Sequence, residues 1–106
     1  YQNLTFLDGL DMSLPTLAEF TEKTSALGYD GVSIRTWEPN SVSQTHTHEF
    51  AVHAVVAQGE MWLTRGDDTQ HLQVGDTFTM EPETPHAEKY GSQGTIYWAA
   101  RRFPKI

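Results

Sequence analysis

Two hydrophobic periods divide the chain at Gly28. Before it, Leu17, Phe20, Thr24 and Leu27 recur at three- and four-residue intervals behind Ser13 and Pro15. That spacing predicts one amphipathic helix over about residues 13–28, opened by Ser13 or Leu14 and closed by Gly28. Its apolar stripe is narrow, which suits a helix lying over one open face of a sheet. From Gly31 onward the period drops to two, in short runs rich in Val, Thr, Ile, Phe, Tyr and Trp. These runs predict strands over 32–38, 42–48, 50–57, 60–65, 70–73, 77–80, 86–90 and 95–101. Pro39-Asn40-Ser41, Gln58-Gly59, Gly66-Asp67-Asp68, Val74-Gly75-Asp76, 82–85 and 91–94 punctuate them as turns.

Turn signals at roughly ten-residue spacing fit an all-β sandwich or barrel. With no repeat or linker, the whole chain, 1–106, reads as one domain: a helix at about 13–28 and a barrel at about 31–103. Phe50-Ala51-Val52 and Ala54-Val55-Val56 are apolar on both faces, more than a sheet with one wet face needs. The helix is expected to cover part of the outer face and a second subunit the rest, through residues such as Trp62, which makes a homodimer the expected state.

The composition, 38% hydrophobic and 20% charged, is that of a folded globular protein. A formal net charge of -7 argues against nucleic acid or an anionic membrane surface as a partner, since both require clustered Lys and Arg. The absence of cysteine excludes disulfides, thiolate nucleophiles and sulfur-ligated metals, so any metal must take nitrogen and oxygen ligands. No apolar run approaches the roughly 20 residues of a membrane-spanning helix, and a soluble, cytoplasmic protein is expected. The chain opens on Tyr1 without a methionine or a cationic, apolar signal segment, which leaves a processed leader or a trimmed start open.

Candidate chemistry concentrates in the histidines. His46 and His48 lie two apart in an expected strand, so both side chains project from one face, with Cα atoms roughly 7 Å apart. Two imidazoles at that spacing can converge on one ion. Alone, such a pair more often marks surface or hydrogen-bonded histidines. A second cluster, Gly75-Asp76-Thr77-Phe78-Thr79-Met80-Glu81-Pro82-Glu83-Thr84-Pro85-His86, ends in a further histidine after a turn-rich segment.

The first segment, His46-Thr47-His48 followed by an apolar strand and Gly59, resembles the first motif of the cupins, and Gly75 to His86 resembles the second. The resemblance spans roughly Arg35 to Trp98. It implies a small antiparallel jelly-roll barrel with a metal site inside its wider end, and His46, His48 and His86 match the three histidine ligands by position. The implied cofactor is one divalent transition metal ion, Fe, Zn, Ni, Mn, Co or Cu, and three neutral histidines with water-filled positions form the open kind of site that supports chemistry. One departure concerns the motif's glutamate: the shorter form of the motif puts Val52 in its place, the longer form His53. Alternation from His46 turns His53 to the opposite face unless a β-bulge rotates it inward, and there it is a helix- or dimer-interface histidine. Loss of the glutamate weakens the hold on harder ions such as Mn.

If the inward register continues from His86, Glu88 and Tyr90 also face the cavity, and Glu88 is the candidate catalytic group, accepting a proton or orienting a water. A surface salt bridge from Glu88 to Lys89 or Arg101 is the alternative. Phe50, Val52, Met61, Leu63, Phe78 and Met80 are expected to form an apolar pocket, with Arg35, Trp37 and Trp98 framing its mouth and His71 pointing outward. The resemblance implies a metal-dependent enzyme acting on a small organic molecule, first an oxygenase, then an isomerase or lyase in which Glu88 moves a proton. A non-catalytic small-molecule binding or sensing domain and an accessory association barrel are the alternatives.

Overall fold

The computed structural model describes residues 14–104. These form one helix, α1 (Leu17–Ala26), and six strands: β1 (Gly31–Trp37), β2 (Val42–His46), β3 (Ala51–Arg65), β4 (Asp68–Gln73), β5 (Thr77–Met80) and β6 (His86–Arg102). Every pairing is antiparallel.

The expected all-β fold with one helix is observed. The helix begins later than its apolar spacing suggests, because the capping chemistry sits at Thr16. Its hydroxyl accepts from the Glu19 amide at 3.1 Å while the Glu19 carboxylate accepts from the Thr16 amide at 2.8 Å, a reciprocal capping box. Leu14 precedes that cap, and Ser13 lies outside the described residues. At the other end Gly28, at φ 95°, turns the chain, with Gly28 N–H on the Ser25 carbonyl and Tyr29 N–H on that of Thr24. α1 buries Phe20 and Thr24. Phe20 joins Val55 and Ala100 in a small outer core, flanked by Leu14, Tyr29, Val32 and Trp98. The helix thus covers one outer face of the sheet, as its stripe predicts.

The eight expected strands are six, because two pairs of them are continuous. β3 runs through Gln58-Gly59 and β6 through 91–94, where turns had been expected. The two strands pair along most of their length, and their register breaks at the same place, between Val56 and Met61. There the backbones nearly touch: a Cβ on Gly59 (φ 79°) would sit 2.1 Å from the Gly94 carbonyl oxygen. Glycine is what lets both strands bend at this corner without a break.

That bend makes two layers out of one hydrogen-bonded sheet. In the first layer the order is β1, the second half of β6, the first half of β3, and β5. In the second it is β2, the first half of β6, the second half of β3, and β4. The corner also shifts the inward parity from Val52, Ala54 and Val56 to Met61 and Leu63, so both halves of β3 feed one core shared with Leu72, Phe78, Met80, Tyr90 and Tyr97. This is an antiparallel jelly-roll. Trp98, expected at the pocket mouth, has the other parity and packs 6.2 Å from Phe20 beneath the helix. No helix among the described residues is long and apolar enough to cross a membrane.

Candidate metal centre

Three histidines from separate places in the chain meet at one end of the interior. β2 stops at His46, which pairs with His86 at the start of β6, so these two are cross-strand neighbours. His48 lies beyond the end of β2 rather than within it. The reason is a clip from the second motif: the Glu83 amide, in a turn with Glu83 at φ 62°, donates to the His48 carbonyl at 2.7 Å. The three rings still converge, with centroids 5.0 Å apart for His46 and His48, 4.4 Å for His46 and His86, and 4.8 Å for His48 and His86. One ligand nitrogen from each lies within 4.8 Å of the others.

The hydrogen bonds around the rings decide which nitrogens are free. His86 Nδ1 sits 2.8 Å from the Thr84 carbonyl and His46 Nδ1 2.6 Å from that of Gln44. A carbonyl only accepts, so both Nδ1 atoms carry a proton, and in the neutral imidazole that tautomer leaves the lone pair on Nε2. His86 is 1% exposed and its Nε2 is buried without a hydrogen-bond partner. It faces Glu88 Oε2 at 3.5 Å, too far for a hydrogen bond. Two buried acceptors opposed in this way repel unless a cation lies with them, and a set of neutral imidazoles oriented by backbone carbonyls is the donor set of a transition metal site. The residues fit a metal ion. His48 stacks on Phe50 at 4.7 Å, and burial, then the neighbouring His86 and His46, hold it below the ordinary histidine pKa, in the neutral form that ligates.

Glu88 is 5% exposed and turned inward, not to the surface. Its Oε1 accepts from the Tyr90 hydroxyl and, at 3.2 Å, from the Tyr97 hydroxyl. Burial and then the adjacent carboxylate push both phenols up, so each remains a donor throughout the physiological range. Neither surface partner expected for Glu88 engages it. Lys89 lies over the Trp62 ring, and Arg101 over Phe50 and Phe103.

His46 and His48 open into a cavity of about 200 Å³ whose wall also includes Glu88, with His86 buried behind them. Phe50, Val52, Phe78 and Met80 supply the expected apolar lining, while Met61 and Leu63 pack deeper in the core. Arg35 lines the cavity, and Trp37 stacks on Tyr90 with centroids 4.6 Å apart. Four lining residues were missed in the sequence: Ser33, Tyr97, Ala99 and Arg101. The parity that turns Trp98 and Ala100 outward brings Tyr97, Ala99 and Arg101 in, and it is opposite to the parity counted from His86 because β6 bends at the corner.

The remaining histidines are elsewhere. His53, the alternative occupant of the glutamate's place, points outward and packs 5.9 Å from both Phe20 and Tyr29. Val52 takes the inward position there. His71 is exposed, 2.7 Å from Glu60 and stacked on Trp62.

Among solved structures, the chain is similar to KdgF from Halomonas sp., at 16% identity and a TM-score of 0.65 over 74% of this chain and 73% of the other. It is also similar to the DMSP lyase DddQ from Ruegeria pomeroyi, at 16% identity and a TM-score of 0.65, over 71% of this chain but 39% of that one. A third likeness is to an RmlC-like cupin from Shewanella frigidimarina, at 15% identity and a TM-score of 0.62 over 74% and 70% of the two chains. At these identities the likeness is one of fold. The chain spans well under half of the lyase and about seven-tenths of the other two. No curated protein matches it. The family model of the cupin domain matches residues 33–98, well over half of the chain and both histidine segments. With that match and a jelly-roll carrying its histidines at one end of the interior, the chain belongs to the cupin family.

Proposed function

We propose that this cupin is a metal-dependent enzyme that moves a proton on a small organic molecule, with His46, His48 and His86 holding one divalent transition metal ion and Glu88 as the catalytic proton carrier. The observation that carries the reading is the buried Nε2 of His86, which has no hydrogen-bond partner and converges with the two other imidazoles. When bound, the ion supplies a Lewis acid that draws charge from a ligand oxygen. The chain supplies the rest. Phe50, Val52, Phe78 and Met80 exclude water from the apolar part of the ligand. Tyr90 and Tyr97 fix one oxygen of Glu88, leaving Oε2 on the His86 side to take up or return a proton.

The oxygenase expected from the sequence draws on the same three imidazoles. Proton transfer is favoured over it by Glu88, a buried carboxylate bordering the cavity with one oxygen held and one not. A lyase among the fold neighbours is in keeping with this class. The expected homodimer belongs to the same reading, since Val42 is exposed on the outer face of the second layer and Trp62 lies on that face two strands away, with Lys89 between them. A monomer in sedimentation at micromolar concentration would remove it.

Elemental analysis of protein never exposed to chelator, followed by a screen of small organic molecules in deuterated water, tests the function. Close to one equivalent of a transition metal is expected, with solvent deuterium appearing in the substrate. Glu88→Gln should keep the metal and slow that exchange by about a hundredfold. Less than a tenth of an equivalent of metal would refute the reading. Oxygen consumption without exchange would return it to an oxygenase, and tight binding without turnover would make the domain a sensor.

A further inference from the structure

The inward positions of the first layer hold two cations that the metal chemistry does not use. Arg35 on β1 and Arg101 on β6 both line the cavity. Arg35 pairs with Tyr97 and Arg101 with Gly31, so four residues of strand, roughly 13 Å, separate them along the layer. Between them lies the cross-strand pair Ser33 and Ala99, two small side chains that leave a hollow on the cavity wall.

Neither guanidinium has a carboxylate within ion-pairing distance among the described residues. Arg35 lies 5.4 Å from the Trp37 ring centroid, and Arg101 lies 5.6 Å from those of Phe50 and Phe103. Stacking on aromatic faces holds the planar groups and leaves their N–H edges free. The Nε of Arg101 is buried without a hydrogen-bond partner. A buried donor on a cation is costly unless something accepts from it. In a chain of net charge -7, two guanidiniums against the one carboxylate of Glu88 leave the cavity wall with a positive balance, the opposite sign to its surroundings.

We infer that the small molecule taken by this cavity is a carboxylate, its carboxyl group held over Ser33 and Ala99 by Arg35 and Arg101 and its other polar end turned to the three histidines. The planar fork of arginine matches a carboxylate. A phosphate ester fits less well, because Ser33 is the further hydroxyl beside the two arginines, that of Tyr97 being donated to Glu88. The volume, about 200 Å³, lies below that of drug-sized sites and confines the ligand to a small acid. The inference rests on the metal reading only for the far end of the ligand, so the carboxyl end is tested with the metal absent.

Metal-free and zinc-loaded protein would each be titrated with 3-methylbutanoate and with its uncharged isostere 3-methylbutanamide, followed through backbone amide NMR shifts. The acid is expected to bind at least about tenfold more tightly than the amide in both forms, shifting the Ser33 and Ala99 amides. Arg35→Gln and Arg101→Gln should each remove about tenfold of that preference while zinc binding is unchanged. Two separate variants, each checked by circular dichroism, guard against one failing to fold. Equal affinity for acid and amide, no binding of the acid at millimolar concentration, or a preference that survives both substitutions would overturn the inference. So would stronger binding by inorganic phosphate. If zinc fails to bind while the preference persists in metal-free protein, the metal reading fails and the carboxylate site stands.

Discussion

The five histidines divide between the inside and the outside of the same jelly-roll, and the two groups are built differently. Outside, His71 and His53 are fully accounted for by packing and pairing. His71 is stacked on Trp62 and paired with Glu60, and His53 lies between Phe20 and Tyr29 beneath the helix. Inside, His46 and His86 are each held by one nitrogen on a backbone carbonyl, and the other nitrogen is turned toward the same small volume. His86 Nε2 is buried there without a partner. Histidine count says nothing about ligation. What separates the two groups is where the second nitrogen points.

Substitutions on the two sides should break different properties. The largest effect is expected inside: His86→Ala should weaken zinc binding by about a thousandfold or more, read by competition with a chelator, whereas His71→Ala should leave it unchanged. Equal losses in the two variants would erase the distinction. Next comes the outer core, where Phe20→Ala should cost about 3 kcal/mol in chemical denaturation, since a buried aromatic joining the helix to the sheet is removed, while zinc stoichiometry stays the same. Loss of zinc in that variant would show that the two faces are coupled. A smaller change, about 1 kcal/mol, is expected for Thr16→Ala, which removes the helix cap but leaves its packing.

The smallest effect is a pH dependence from the outside group. Burial, then Lys23, holds His53 below the ordinary histidine pKa of 6.5. Above 6.5 it is neutral in both folded and unfolded chains and contributes no slope. As pH falls below 6.5 the unfolded chain binds a proton that the folded one resists, so stability declines until the folded pKa is passed. Metal-free His53→Leu protein should show a shallower decline between pH 6.5 and 5 than metal-free wild type, by urea titration. An unchanged slope would mean that His53 is not shielded by the helix.

Much of the interior was legible in the sequence, because period-two alternation fixes which face a side chain takes once one residue is anchored. From His86 it places Glu88 and Tyr90 inward, and both are there. From His46 it places Val52 inward and His53 outward, as observed. Counted on along β6 from His86, the same alternation puts Trp98 inward and Arg101 outward, the reverse of what is observed, because the corner shifts the parity of the strand. The corner itself was hidden. Gly59 and 91–94 look like ordinary turns, and nothing local says that two distant glycines fit against each other so that both strands run on. The helix start was missed for a different reason: Thr16 and Glu19 carry the capping signal, but the apolar spacing drew attention to Ser13. His48 leaves β2 through a bond to Glu83, a contact between two motifs that neither segment reveals alone.

The central claim is that three imidazoles share one ion, and X-ray absorption at the zinc edge of the loaded protein tests it most directly. The account predicts imidazole scattering from three nitrogens at about 2.0–2.1 Å, with one or two further light atoms completing the shell. A zinc shell of oxygens alone, without imidazole scattering, would contradict it.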